Sequence, residues 1–269
     1  MMEIGCNTYS LRALDRAEAF RRLAALDLRH VELWAGHASY RDADVRPSDV
    51  AREATALGLR LRAYCIGGLF GLPRPTVDER LERALWFARE LGADLVTTIL
   101  DPEVVRSADA LANRFGMRIA LENHWYTGLA RPADVRRALA QCSPAVGAAI
   151  DVGHFAFLGY DPAAVAHELG ARTLHVHLKA VQCPTRIERM LQRARRQYRL
   201  QSVPPGPDDR LDGFVSALVA HGYDGFLAIE EEGGGGSGGL LPRWQERARS
   251  LVAAAAPELP SAVGEWAHA

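Results

Sequence analysis

Short apolar runs recur along the chain and alternate with longer stretches of helical periodicity. Eight of these runs predict β-strands: EIGCNTY (3–9), HVELW (30–34), LRLRAYCI (59–66), DLVTTIL (94–100), MRIALEN (117–123), VGAAID (146–151), TLHVHLK (173–179) and GFLAIE (225–230). Eight β/α units, repeating every roughly 25 to 35 residues, predict one α/β domain, a (β/α)₈ TIM barrel over residues 1–269. An open doubly wound sheet is the alternative, but no strand is followed by its G-x-G-x-x-G turn.

Helix start and stop signals support the alternation. Thr76 and Glu79 predict a capping box at the start of one helix, and Gly92 predicts its end. Asp161, followed by proline, predicts another helix start, and Gly170 predicts the end of that helix.

The interval between the seventh and eighth strands is longer than the others. It spans about 50 residues, whereas an ordinary β/α unit of this chain spans roughly 25 to 35. The extra segment, about 182–210, follows a strand and is therefore expected at the mouth of the barrel. An arginine-rich helix is predicted at 186–199, with an apolar stripe that includes Ile187, Met190 and Tyr198. A solvated rim helix, a lid and a subunit contact are all compatible with it.

A glycine-rich stretch, EEEGGGGSGG at 230–239, follows the last strand. A flexible loop is one interpretation of this composition. A phosphate-binding loop is the other, since many barrels bind phosphate after strands seven and eight.

Composition narrows the functional classes. The formal net charge of −1 gives no electrostatic reason to expect binding to nucleic acid or to an anionic membrane. The four cysteines form no C-x-x-C pair, which indicates free thiols in a reducing compartment. No apolar run has the length of a membrane span and the N-terminus lacks a signal-peptide pattern, so a cytoplasmic protein is expected.

The late strands end in charged or metal-ligating residues. Glu122 ends the fifth strand, Asp151 the sixth and Glu230 the eighth, while His177 lies near the end of the seventh. In a TIM barrel these ends meet at one mouth, where clustered carboxylates would repel one another without a cation. Three carboxylates and one imidazole favour Mn²⁺, with Mg²⁺, Co²⁺ and Zn²⁺ as alternatives. A set of structural ion pairs is the competing interpretation.

Side-chain alternation separates the two histidines of the seventh strand. The inward positions below the four candidate ligands are Ala120, Ala149, His175 and Ala228. Three alanines leave room for one imidazole, so His175 is predicted as a packed floor residue. His177, one layer higher, is then the predicted ligand.

The motifs IALENH, IDVGHF, HVHLK and GYDGFLAIE resemble the xylose isomerase-like TIM barrel superfamily, which includes sugar phosphate isomerases and epimerases, dehydratases and AP endonucleases. The resemblance covers essentially the whole chain. It implies that Glu122, Asp151, His177 and Glu230 bind one divalent metal ion and that the substrate is a small sugar or polyol. A homo-oligomer is compatible with it.

The resemblance also suggests substrate contacts. It implies that His154 lies beside the substrate, and Glu32 would either touch substrate or form an ion pair at the rim. Many relatives have Asp where this chain has Ala180, so Lys179 is expected as a substrate contact and not as a base. Aromatic residues at or just past strand ends are expected to wall the pocket or to pack ordinarily: Trp34, Tyr64, Trp125 and Phe155.

The implied chemistry is proton abstraction next to a carbonyl through an enediolate, with Glu122 and Glu230 as the pair that removes and returns the proton. Isomerisation or epimerisation is the favoured outcome, and dehydration of a keto-polyol, as in inosose or dehydroshikimate dehydratases, is the alternative. An AP endonuclease is disfavoured, because the additional histidines and the Asp-x-His motif of those enzymes are missing. A non-catalytic barrel subunit is the third class considered.

Overall fold

The chain forms a closed barrel of eight parallel strands, and β8 completes it by pairing with β1. The structure is a computed structural model that describes residues 2–185, 187, 188, 190, 202–206 and 211–255. The strands are β1 (Glu3–Asn7), β2 (His30–Trp34), β3 (Arg60–Gly68), β4 (Leu95–Ile99), β5 (Arg118–Glu122), β6 (Val146–Asp151), β7 (Thr173–Leu178) and β8 (Phe226–Ile229). The TIM barrel predicted from the sequence is confirmed, strand by strand.

Helices surround the barrel and cover the outer faces of the strands. Within the described residues they are α1 (Arg16–Ala25), α2 (Pro47–Ala56), α3 (Arg74–Glu90), α4 (Val105–Phe115), α5 (Pro132–Leu139), α6 (Val152–Phe157), α7 (Pro162–Leu169), α8 (Asp212–Ala220) and α9 (Leu241–Ala255). As predicted, Asp161 caps α7 by accepting a hydrogen bond from the Ala164 N–H at 2.9 Å. The predicted capping box is wrong: α3 begins earlier, at Arg74, and the Thr76 N–H bonds to the Pro73 carbonyl instead.

The barrel interior is filled mostly by small and apolar side chains. Because the strands pair in parallel with matched alternation, the inward positions of neighbouring strands face one another. One buried cluster comprises Ala63, Leu95, Ala120, Ala149, Phe226 and Ala228. Among the polar inward residues, Thr97 and His175 lie level with this cluster. The candidate ligands lie beyond it, at the C-terminal ends of the strands.

Gly5 shows how tightly the interior is packed. A Cβ at this position would overlap the carbonyl oxygen of His30 and lie 2.6 Å from Cδ2 of Phe226. We expect Gly5→Ala to lower the free energy of unfolding by about 1–3 kcal/mol, the usual effect of overpacking a core. Gly206→Ala is the matched control, since a Cβ there meets nothing within 4 Å. Equal stability of the two variants in chemical denaturation would contradict tight packing around Gly5.

The first and last residues of the long connection after β7 lie side by side. Val181 forms an antiparallel bridge with Ser202, and the Val203 N–H donates to the Ala180 carbonyl at 3.0 Å. Most of the predicted helix at 186–199 lies outside the described residues, so the insertion at about 182–210 stays a prediction. Within the described part of the chain, no helix combines the length and apolar character needed to cross a bilayer.

The glycine-rich loop after β8 is tied to the connection between β1 and α1. The Gly236 carbonyl accepts a hydrogen bond from the Ala13 N–H at 3.1 Å. Arg12 donates to the carbonyls of Glu231 and Glu232, at 3.3 and 2.6 Å. The carboxylate of Glu231 accepts from the Leu240 N–H at 3.0 Å. These contacts fix the loop and the end of β8 against the connection between β1 and α1.

Candidate metal centre at the barrel mouth

Four side chains converge at the C-terminal end of the barrel. Glu122, Asp151, His177 and Glu230 are buried, and one ligand atom from each lies within 4.8 Å of the others. They end, or nearly end, β5, β6, β7 and β8, and we call them the four-residue group. The structure thus brings together the four residues that the sequence predicted as ligands.

The imidazole of His177 has one nitrogen turned toward this group. Its Nδ1 is buried and makes no hydrogen bond to any described residue. It lies 3.7 Å from Oε1 of Glu122 and 3.6 Å from Oε2 of Glu230. We call this nitrogen orphaned, because it has no hydrogen-bond partner among the described residues. Together with the three carboxylates it forms a donor set that fits a divalent cation with oxygen and nitrogen ligands.

The electrostatics of the site favour positive charge. Burial lowers the pKa of His177, but Glu32 and Glu230 outweigh burial and hold this pKa well above its ordinary value. Burial raises the pKa of Glu230 to about 7, although Lys179 and His177 act against this shift. Burial also acts to raise the pKa of Asp151, yet His154 and Lys179 hold it below its ordinary range.

Lys179 places an ammonium group among the acidic residues. Its Nζ lies 2.6 Å from Oδ2 of Asp151, 2.7 Å from Oε2 of Glu230 and 2.8 Å from Oε1 of Glu232. These carboxylates outweigh the effect of burial and hold the pKa of Lys179 well above its ordinary value. Glu232 supplies an acidic partner that residue 180, an alanine, cannot. Lys179 is the only lysine in the sequence, and an ammonium with three donors matches three converging carboxylates.

Two asparagines hold the strand ends that carry the acidic groups. Asn7 donates from Nδ2 to Oε1 of Glu230 at 3.0 Å. Asn123 accepts from the Asp151 N–H at 2.9 Å and donates to the Asp151 carbonyl at 3.1 Å. Sequence reasoning missed both asparagines. Their position at or just past the ends of β1 and β5 is the signal that marks them.

His154 lies beside the four-residue group on α6. Its backbone N–H donates to Oδ1 of Asp151 at 3.0 Å, and its Nε2 lies 3.4 Å from Nζ of Lys179. Burial lowers the pKa of His154 to about 3, so its ring is neutral. The ring centroid of His124, another residue that sequence reasoning missed, lies 3.8 Å away. His124 follows Glu122 by two residues, and that alternation points to the same side of the strand.

Aromatic side chains surround the mouth of the barrel. Tyr126 packs against Phe70, His124 and Trp125, with ring centroids 5.3, 4.0 and 4.7 Å apart. On the other side of the mouth, Tyr9 and Trp34 pack edge to face at 5.2 Å. The half-buried Trp125 is thus placed at the mouth, as the sequence predicted for a wall residue.

Two other aromatic residues near strand ends pack ordinarily, the second of the two alternatives, and do not reach the mouth. Tyr64 has no exposed surface, stacks on Phe87 at 5.2 Å and donates to the Ala38 carbonyl at 2.7 Å. Phe155 is also fully buried and packs against Tyr160. Tyr64 follows the inward Ala63 on β3 and therefore points outward, whereas Phe155 lies on α6; both belong to the hydrophobic core between barrel and helices.

Glu32 is not at the rim, where the sequence placed it as a substrate contact or ion pair. It has no exposed surface. Its Oε2 lies 2.8 Å from Nε2 of His177 and 3.0 Å from Nε2 of His175, and its Oε1 accepts a hydrogen bond from Thr97. Burial raises the pKa of Glu32, but the two histidines outweigh it and hold the pKa well below its ordinary value. His175 packs its ring against Phe226 at 5.0 Å, within the apolar interior.

Comparison with known proteins places this architecture in context. A family model described as xylose isomerase-like TIM barrel matches residues 20–254. An inosose dehydratase from Lacticaseibacillus casei is 28% identical over 134 residues, which cover 45% of this chain and 42% of that protein. The match therefore spans less than half the length of this curated relative.

Solved structures resemble the barrel over almost its whole length. The probable 3-DHS dehydratase AsbF from Bacillus anthracis has a TM-score of 0.73 at 16% identity, covering 93% of this chain and 99% of that one. A D-psicose 3-epimerase, solved in the presence of D-fructose, has a TM-score of 0.68 at 16% identity, covering 94% of this chain and 97% of that one. At these identities the likeness shows a shared fold.

Proposed function

Since the chain belongs to the xylose isomerase-like TIM barrel family, we propose that it is a divalent-cation-dependent enzyme that moves a proton next to the carbonyl group of a sugar or keto-polyol. The observation that carries the proposal is the four-residue group with the orphaned Nδ1 of His177. A cation held there would act as a Lewis acid on the carbonyl oxygen and a neighbouring hydroxyl. Mn²⁺ is the favoured ion, and Mg²⁺, Co²⁺ and Zn²⁺ are the alternatives.

Glu122 and Glu230 are the proposed acid–base pair. They come from β5 and β8, three strands apart in the barrel, so their carboxylates approach the site from different sides. Both lie within 3.7 Å of the same nitrogen of His177. A positioned carboxylate can take up and give back a proton as a general base and acid. One carboxylate removes the proton next to the carbonyl and the other returns a proton to the resulting enediolate.

The surrounding residues are proposed to bind and orient the substrate. His154 is kept neutral and has a buried Nδ1 without a hydrogen-bond partner among the described residues, so it can bond to a substrate hydroxyl. Lys179 was expected to contact the substrate, but its three donors already face Asp151, Glu230 and Glu232, so its proposed role is to hold these carboxylates in place. Trp125, together with the other aromatic side chains at the mouth, offers apolar faces to the C–H groups of a sugar and excludes water.

Epimerisation or isomerisation is the favoured outcome, and dehydration is the second candidate. The 134-residue match to an inosose dehydratase supports the second candidate. Both begin with the same deprotonation and differ in the fate of the enediolate. Return of a proton to the opposite face of the same carbon gives an epimer, and its return to the former carbonyl carbon gives the aldose–ketose isomer. Loss of a hydroxyl from the next carbon, which leaves with a proton as water, gives an unsaturated product.

A panel of aldoses, ketoses and keto-polyols, incubated with the protein and Mn²⁺, tests the proposal. We expect at least one member to be converted, and we expect a chelator to stop the conversion. Mass spectrometry distinguishes the candidates, because an isomer keeps the substrate's mass and dehydration removes one water. A purified protein that binds no divalent ion and converts no member of the panel would contradict the proposal.

A further inference from the structure

Glu32 reaches across the barrel interior to the candidate metal centre. It lies in the middle of β2, which is three strands from β7 around the barrel. Its carboxylate nevertheless lies at hydrogen-bond distance from His175 and His177, 3.0 and 2.8 Å away. All three side chains are fully buried, so no water competes for these contacts.

We propose that Glu32 is a positioning residue, which holds His177 so that its Nδ1 lone pair faces the divalent cation. A carboxylate can only accept hydrogen bonds, so Nε2 of His177 must carry the hydrogen of the 2.8 Å contact. In its metal-binding form the imidazole is neutral and carries one hydrogen, on Nε2, which leaves Nδ1 free to act as a ligand. Such a contact fixes both the tautomer and the direction of the ring, and it makes the imidazole a better ligand.

The carboxylate of Glu32 is itself held in place. His175 donates to the same oxygen, Oε2, and Thr97 on β4 donates to the other oxygen, Oε1. His175 is in turn packed edge to face against Phe226 at 5.0 Å and against His177 at 5.1 Å. Three donors, two on β7 and one on β4, thus contact this carboxylate and fix its orientation.

A different use of the same residues is that Glu32, His175 and His177 bind a second cation, since their ligand atoms also lie within 4.8 Å of one another. His177 is shared by both groups. Two cations would require its imidazole to lose both ring hydrogens and bridge them. The hydrogen-bonded arrangement needs no such ionisation, and the two possibilities differ in the number of ions bound per chain.

The inference rests on the proposed function, so the wild-type protein is measured first. Titration with Mn²⁺ is expected to show one ion per chain. In protein loaded with Cd²⁺ and labelled with nitrogen-15 histidine, the cadmium–nitrogen coupling is expected at Nδ1 of His177, with hydrogen on Nε2. Coupling at Nε2 of His177, or two ions per chain, would overturn the positioning role.

Glu32→Gln is the test variant. Glutamine is neutral, so its amide oxygen is a weaker acceptor than a carboxylate for the two histidine N–H groups that meet at Oε2, and its NH₂ group then faces Thr97. We expect Mn²⁺ affinity to fall by about 10- to 100-fold, as for other outer partners of metal-bound histidines. Glu79→Gln is the matched control, because Glu79 lies on α3 with its side chain 70% exposed. Its Mn²⁺ affinity is expected to match that of the wild type.

The outcomes separate the two proposals. A wild-type protein that binds no divalent ion would contradict the proposed function. Equal Mn²⁺ affinity of Glu32→Gln and the wild type would contradict only the role of Glu32. The coupling measurement uses wild-type protein, so it decides the question even where Glu32→Gln fails to fold.

Discussion

Replacing Glu122 by glutamine is expected to lower kcat by about 10²- to 10⁴-fold, the usual contribution of a proton-transferring group. Glutamine keeps the size of the side chain but cannot accept a proton at neutral pH. It also removes one of the three carboxylates of the four-residue group, so the assay is run at saturating Mn²⁺. Steady-state kinetics on the substrate found in the panel measures the effect, and thermal unfolding measures whether the barrel is intact.

Glu79→Gln is the matched control for this substitution, since Glu79 lies on α3 with its side chain 70% exposed. We expect its kcat and its melting temperature to match those of the wild type. A folded Glu122→Gln variant with the full kcat would remove Glu122 from the acid–base pair.

Replacing Lys179 by methionine is expected to destabilise the metal-free protein by about 3–5 kcal/mol, as when one partner of a buried ion pair is removed. The substitution leaves Asp151, Glu230 and Glu232 without the ammonium that now lies within 2.8 Å of each. The free energy of unfolding, from urea denaturation in the presence of a chelator, measures the loss. Added Mn²⁺ is expected to restore part of it, because a cation binds the folded state.

The surface pair of Arg62 and Glu3 provides the control for the removal of a cation. Both side chains are partly exposed, and they lie 3.0 Å apart. Arg62→Met is expected to change stability by no more than about 0.5 kcal/mol. A loss of similar size in Lys179→Met would contradict the view that the Lys179 ammonium neutralises the site.

The strands and the four-residue group could be predicted because both follow from local alternation. An apolar run bounded by turn signals marks a strand, and a charged residue at its C-terminal end marks the mouth of a barrel. Parallel pairing then brings Glu122, Asp151, His177 and Glu230 together without any knowledge of their side-chain conformations.

The position of Glu32 could not be predicted in the same way. Its histidine partners lie 143 and 145 residues away in the chain, and the contacts depend on how far a side chain reaches across the interior. The partnership of Lys179 with Glu232 has the same origin, since these residues lie 53 positions apart. For Tyr64 and Phe155 the sequence left a pocket wall and ordinary packing open, because position near a strand end does not reveal on which side of the barrel wall a side chain lies.

The cation and the two glutamates are proposed to act together to move a proton next to a carbonyl. The most direct test is exchange of that proton for deuterium from solvent, measured by NMR with the substrate panel and Mn²⁺. We predict exchange at the carbon next to the carbonyl of at least one panel member, lost on chelation and in Glu122→Gln. Exchange that persists in both, or turnover of a panel member without any exchange, would contradict the claim.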